Sequence, residues 1–193
     1  MRILGIDPGL RITGYACVEV APPTTSHGGL HQPRLIDAGV IRLRVGSSVQ
    51  ARLVELERDL IGLLETHAPD EVCVEKLYSH YQRPTTAIIM GHARGVVLLS
   101  AQRFGASVTE LAATEVKKSL TGHGHATKRQ VQESVMAQCR LAELPEPPDV
   151  ADAIAVALCA ARRVTAPVVC PPLPPGEGRV ETKLTKSCIV ERD

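Results

Sequence analysis

Asp149 and Asp152 stand three apart in Pro-Pro-Asp-Val-Ala-Asp-Ala-Ile-Ala, which reads as the opening of the last helix. A spacing of three puts both carboxylates on one helical face. With Asp7 near the chain start and Glu75 mid-chain, they could form an all-oxygen site, a ligand set that suits magnesium or manganese rather than zinc. Four converging carboxylates repel one another and raise one another's pKa unless cations enter. The cluster is therefore costly as structure and sensible as a metal site. Two ions roughly 3.5–4 Å apart would activate a water and stabilise the leaving oxygen in an in-line attack on a phosphodiester. Lys117 or Lys128 could stabilise the charge that develops on the phosphate, although an isolated lysine also serves plain solubility.

Two of the acids have a plainer reading. Asp7 precedes Pro8-Gly9, where aspartate commonly opens a turn, and Asp149 follows two prolines and suits a helix N-cap. Glu75 and Asp152 are harder to absorb that way. Glu75 ends the apolar run Val72-Cys73-Val74, and a charge at a strand end in an α/β sheet points toward the crevice where ligands bind. Asp152 lies among Ala151, Ala153, Ile154, Ala155, Val156 and Ala157, in a helix that should be packed, so its carboxylate needs a partner.

Turn signals and periodicity predict the elements that must position these groups. Arg2 to Asp7 is a short apolar strand stopped by Pro8-Gly9. Gly14 to Val20 and Leu35 to Leu43 carry β-branched residues and read as second and third strands, an antiparallel start. The Pro-, Gly-, Thr- and His-rich stretch from Ala21 to Arg34 reads as a mobile loop. Ser47 or Ser48 caps a helix whose Leu53, Leu56, Leu60, Leu63 and Leu64 recur at helical spacing up to Pro69. Glu71 to Glu75 is a buried strand. Thr85 to Phe104 is a long helix with Ile88, Ile89, Val96, Val97 and Leu98 spread too widely for one narrow face, which predicts burial on two sides, as in a dimer. Ala106 to Leu111 is a fifth strand, Thr114 and Thr127 cap two further helices, and Asp149 to Arg163 is the last. The result is an α/β chain with a mixed five-stranded sheet, its first three strands antiparallel, flanked by helices. Beyond Thr165 the prolines at 167, 171, 172, 174 and 175 mark a tail expected to be disordered. The expected division is a domain over 1–165 and a Pro-rich tail over 166–193.

The 193 residues, 44% of them hydrophobic, suit one ordinary domain with a real core. With only Tyr15, Tyr78, Tyr81 and Phe104 as aromatics, that core must be aliphatic, and Tyr78 and Tyr81 become candidates for exposed, working rings. No apolar run approaches the ~18 residues of a membrane span, and the first residues break too early for a signal peptide, so a cytoplasmic protein without membrane contact is expected. The six cysteines (Cys17, Cys73, Cys139, Cys159, Cys170 and Cys188) form no Cys-x-x-Cys pair, which argues against structural zinc or disulfides. A net charge of +1 conceals an asymmetry. From Leu53 to Glu75 acids dominate, with Arg58 as the single base. From Lys76 to Gln132 the bases Lys76, Arg83, Arg94, Arg103, Lys117, Lys118, Lys128 and Arg129 face only Glu110, Glu115 and nothing else acidic before Glu133. Clustered cations on a near-neutral chain are the footprint of a surface that meets a polyanion, unless they form a merely solvated helix face.

A resemblance rests on motifs in one order. Gly5-Ile-Asp-Pro-Gly-Leu-Arg-Ile-Thr-Gly-Tyr15 is followed by Val74-Glu75 with an aromatic three residues on, and by Gly91-His-Ala-Arg-Gly95. Val116-Lys117-Lys118, Gly122-His-Gly-His-Ala-Thr-Lys128 and Asp149-Val-Ala-Asp-Ala-Ile-Ala155 complete the set. Over about residues 1 to 163 the chain resembles the RuvC family of bacterial Holliday-junction resolvases. The resemblance implies a ribonuclease H-like fold and a homodimer that cuts two opposed strands of a four-way DNA junction, in recombination and repair. It implies Asp7, Glu75, Asp149 and Asp152 as catalytic carboxylates holding Mg2+ or Mn2+, two ions per site. It implies Lys117 and Lys128 in catalysis or DNA holding, with Lys118 and Arg83 as further DNA contacts. Tyr78 falls where the family commonly has a phenylalanine that stacks on an unpaired base, an interaction of ~1–3 kcal/mol per base. The family works with the branch-migration helicase of RuvA and RuvB.

This chain also departs from the family pattern. Gln82-Arg-Pro-Thr-Thr86 replaces an asparagine- and alanine-rich stretch and is one residue longer, the 21–34 loop is long, and the tail has no family counterpart. Three rivals compete with the resemblance. Gly5-Ile-Asp-Pro-Gly9 also resembles the phosphate-binding turn of actin and sugar-kinase ATPases, which need a second domain to close over ATP. A silent junction-binding module has no reason to keep a repulsive acid cluster. A YqgF-type RNA nuclease lacks the Gly-x-Gly-x-Ala-x-Lys run.

Overall fold

Asp7 closes the central strand of the sheet, and its neighbours explain why it faces the way it does. The computed structural model describes residues 1–21, 32–76 and 84–165. Its elements in chain order are β1 (Arg2–Asp7), β2 (Ile12–Glu19), β3 (Arg34–Arg42), α1 (Val49–His67), β4 (Glu71–Glu75), α2 (Pro84–Phe104), β5 (Ser107–Leu111), α3 (Ala113–Thr121), α4 (Lys128–Cys139) and α5 (Pro148–Thr165). The five strands form one sheet in the order β3-β2-β1-β4-β5. β1 pairs antiparallel with β2 and β2 with β3, while β4 runs parallel to β1 and β5 parallel to β4. The mixed sheet with an antiparallel first half is the expected one.

Period-two alternation sorts the strands into two faces. Leu4, Ile6, Val72 and Val74 bury against Leu60 and Leu64 of α1 and Val97 and Ala101 of α2. Ile3, Ala16, Val18 and Cys73 bury on the opposite face with α5, joined there by Val116 of α3 and Val131 of α4. By the same alternation Asp7 and Glu75 belong to the α5 face. Since Ile6 pairs with Val74 in the parallel register, the two acids end neighbouring strands at one level, on the carboxyl edge where α/β sheets bind ligands.

Local signals place the helix ends. Ser48, not Ser47, caps α1, its hydroxyl accepting from the Ala51 N–H at 3.2 Å. Thr127 caps α4 in a capping box with Gln130. The expectation for Thr114 is wrong: Ala112 is the N-cap of α3, with no side-chain cap bond, and Thr114 lies inside the first turn. Asp149 is likewise not a cap, because α5 starts at Pro148, and proline suits a first helical position whose N–H would be unpaired anyway. β2 also begins two residues earlier than expected, at Ile12.

Cys17, Cys73, Cys139 and Cys159 are free thiols. Among the described residues no helix is long and apolar enough to cross a membrane. Several bases of the Lys76 to Gln132 stretch are paired within the fold. Arg94 pairs with Glu110, Arg103 with Glu57 at 3.2 Å, and Arg129 with Glu133 at 2.7 Å, so partners from other elements or the next helical turn neutralise several of its charges. Residues 22–31 of the long loop, the stretch with Tyr78, Tyr81 and Arg83, and the 166–193 tail lie outside the described residues.

Candidate active site

The last helix lies against the sheet because the sheet has glycines where the two meet. A Cβ on Gly5 would come 2.5 Å from the Ala153 carbonyl oxygen and 2.6 Å from the Ala157 nitrogen, and one on Gly14 would overlap the Asp149 carbonyl. Any side chain at these points would lift α5 off the strands. Gly14 pairs directly with Asp7 across β1 and β2, so the contact that seats the start of α5 also sets Asp149 over Asp7. Asp152, one turn on, follows on the same face.

The turn after Asp7 is pinned as firmly. Thr13, fully buried, accepts from the Gly9 N–H at 3.1 Å and donates to the Gly9 carbonyl at 2.7 Å through one hydroxyl. The Arg52 guanidinium donates to the Leu10 carbonyl at 2.9 Å, the Leu43 N–H to that of Arg11 at 3.1 Å, and Leu10 is buried in an apolar cluster with Leu43 and Leu56. Sequence reasoning assigned no role to Gly14 or Thr13. Both stand in the Gly5 to Tyr15 motif, but a glycine's reason for being there is visible only in what passes over it.

Asp7, Glu75, Asp149 and Asp152 line one cavity of about 420 Å³ together with Lys117 and Lys128. Burial, then the charges of Asp152, Glu75 and Asp149, push the Asp7 carboxyl up to about 7 against a weaker opposing pull from Lys128. Glu75 is raised by burial and by Asp152, with Lys117 and Lys128 pulling the other way. Lys128 reaches in from the start of α4, its Nζ 3.2 Å from Asp152 Oδ2, and Asp152 holds it firmly protonated. Lys117 faces the cavity from α3, whereas its exposed neighbour Lys118 does not line it. Arg162 binds the Ser119 carbonyl and, at 2.5 Å, Gln138 Oε1, tying α5 to the two helices that carry the lysines.

The four acids surround the cavity rather than meet at a point. Among the described residues no three acidic, histidine or cysteine side chains form a ready-made metal group. The donor set nevertheless fits a hard divalent cation: every ligand is oxygen, and the burial and mutual repulsion that lift Asp7 are the kind a cation relieves.

The family model for the crossover junction endodeoxyribonuclease RuvC matches residues 3–160. The chain belongs to the RuvC family. A RuvC crossover junction endodeoxyribonuclease from Rhodopirellula baltica is 46% identical over 157 residues, covering 81% of this chain and 84% of the relative. Thermus thermophilus RuvC superposes with a TM-score of 0.73 at 30% identity, over 85% of this chain and 96% of that one. The same enzyme in complex with a Holliday junction substrate gives 0.73 at 27% identity, over 86% and 97%. The ribonuclease H-like fold and the endodeoxyribonuclease class of the RuvC family are thus those of this chain. That settles the kinase, silent-module and RNA-nuclease rivals in favour of the family.

Proposed function

We propose that this chain resolves four-way DNA junctions as a homodimer, placing symmetric paired nicks in a reaction that needs Mg2+ or Mn2+. The observation that carries the reading is the meeting of Asp7, Glu75, Asp149 and Asp152, from three distant stretches of chain, on one cavity with Lys117 and Lys128. The four carboxylates would hold the cations, two per site. Bound there, divalent ions supply an activated water and stabilise the leaving oxygen.

The chain's own groups do the rest. Asp7 and Glu75, at the ends of neighbouring strands, hold their oxygens on a rigid edge. Asp149 and Asp152 close the other side from α5. Lys128, drawn toward Asp152, and Lys117 offer positive charge to a phosphate entering between them, where negative charge grows during attack. Tyr78, Arg83 and Lys118 are further DNA contacts, with Tyr78 offering a ring to an unpaired base. The relative from Thermus thermophilus, solved on a Holliday junction, supports the same substrate here.

Paired cuts in symmetry-related strands call for a two-fold pair of sites. Ile88 at 60% and Leu99 at 48% exposure leave apolar surface on α2 that a second copy would cover. Action on chromosomal junctions places the enzyme in the cytoplasm, as partner of the RuvA and RuvB helicase. The domain over 1–165 carries the site.

The test is cleavage of a labelled, mobile four-way junction with each metal, with linear duplex and structured RNA as controls. The expected result is metal-dependent symmetric nicks in the junction alone. Asp7→Asn should keep junction binding and lower cleavage on the order of a thousandfold. Unchanged cutting by Asp7→Asn would overturn the assignment.

A further inference from the structure

A second groove, of about 610 Å³, opens beside the catalytic cavity between the turn after Asp7 and helix α2, with Arg11 and Arg52 on one side and Ile89 and Met90 on the other. The two concavities are continuous, because Gly9, Ile12, Met90 and Asp149 line both. A strand whose scissile phosphate sits among the carboxylates therefore has a path onward through this groove. The catalytic cavity is acidic and repels a polyanion, so the strand must be held by cations beside it. Lys117 and Lys128 do this from α3 and α4. Across the cavity, next to Asp149, the groove offers two guanidinium groups.

Those two groups differ. Arg52 is committed to the protein: it donates to the Leu10 carbonyl, and its Nε is buried. Arg11 is exposed, and among the described residues every ion pair is made by other groups. Its backbone is nonetheless immobilised, by the Leu43 N–H on its carbonyl and by Thr13 and buried Leu10 on either side. A free guanidinium on a fixed backbone, one wall from the carboxylates, is built to bind a phosphate bidentately. Successive phosphates along a strand are close enough that the neighbour of the scissile one falls within such a groove.

We infer that Arg11 is a DNA-positioning residue that grips the phosphate next to the scissile one on the cleaved strand. The inference rests on the nuclease reading for its substrate, and its experiment separates the two. Binding of a synthetic four-way junction is followed by fluorescence anisotropy from 50 to 300 mM salt (concentrations on the order used to resolve counterion release), without divalent cation, for wild type, Arg11→Ala and Arg11→Lys. Single-turnover cleavage with Mn2+ is measured in parallel.

The expected result for Arg11→Ala is binding weaker on the order of tenfold, and a log–log salt slope shallower by about 0.9, the value for one phosphate contact. Cut positions stay the same, thermal stability is unchanged, and Arg11→Lys recovers most of the slope. An unaltered slope and affinity in Arg11→Ala overturns the inference. So does a changed cleavage-site preference at an unchanged slope, which would make Arg11 a base reader. A loss shared equally by Arg11→Lys and accompanied by a lower melting temperature would also overturn it, by showing a structural role. Failure of the wild type to cut any junction would instead defeat the nuclease reading, while the salt slope still reports on Arg11.

Discussion

The two faces of the sheet are packed to different rules. Toward α1 and α2 the strands present Leu4, Ile6, Val72 and Val74, which interlock with Leu60, Leu64 and Val97. Toward α5 they present Gly5 and Gly14 beneath Ala153 and the backbone of Asp149. Large aliphatic side chains on the first face bury area and can shift a little without consequence. Small residues on the second bring two backbones into contact and leave no slack. Both faces bury aliphatic core, the α5 side with Ile3, Val18, Leu111 and Ile154, but only the α5 side has the glycine contacts that set the distances among the carboxylates.

Substitutions on the two faces should therefore fail differently. Gly14→Ala should have the largest effect, because its methyl would occupy the Asp149 carbonyl position and move the head of α5. A displacement near 1 Å costs on the order of a hundredfold in rate, so junction cleavage should drop by at least about that much while circular dichroism still reports a folded domain. Cleavage within a few-fold of wild type would show that α5 can move without disturbing the acids, and the contrast between the faces would collapse.

The acids themselves make stability depend on pH. Asp7 rises from 3.8 to about 7 in the folded protein, at most roughly 4 kcal/mol at ~1.4 kcal/mol per pH unit. The folded state binds this proton more tightly than the unfolded chain does. Without metal, the contribution of Asp7 to stability is thus greatest below pH 4, falls as pH rises to 7, and then levels off. Urea melts in EDTA at pH 5 and 8 should show this loss, Asp7→Asn should flatten it, and added Mg2+ should restore stability at pH 8. A wild type as stable at pH 8 as at pH 5 would show that the carboxylates are not crowded.

Leu60→Ala probes the opposite face. It should cost about 3 kcal/mol by opening a cavity, seen as a lower urea midpoint, yet leave cleavage below the melting range within about twofold. The smallest effect belongs to Thr127→Ala, which removes the cap of the helix carrying Lys128. A loss of ~1 kcal/mol in a melt with a few-fold slower cleavage is expected, and a larger rate loss would mean that the cap itself positions the lysine.

Much of the fold was legible because strong local signals mark its breaks. Pro8-Gly9 ends β1, Ser48 and Thr127 start helices, and leucines at helical spacing mark α1. The expectation failed at Thr114, where the backbone of Ala112 opens the helix without any side chain, a start that leaves no mark in the sequence. The basic stretch hid something else, namely which of its charges are paired inside the fold, because charges segregated along the chain find partners across space, as Arg94 does with Glu110 and Arg103 with Glu57.

For the site, residue types and spacing alone identified which side chains could hold a cation: acids at the ends of two apolar strands and at the head of an alanine-rich helix. Whether they meet depends on how closely a helix late in the chain settles on strands at its beginning. That distance is set by contact between backbones at Gly5 and Gly14, and no local pattern records it, since a glycine looks the same in sequence whether it frees a turn or admits a helix.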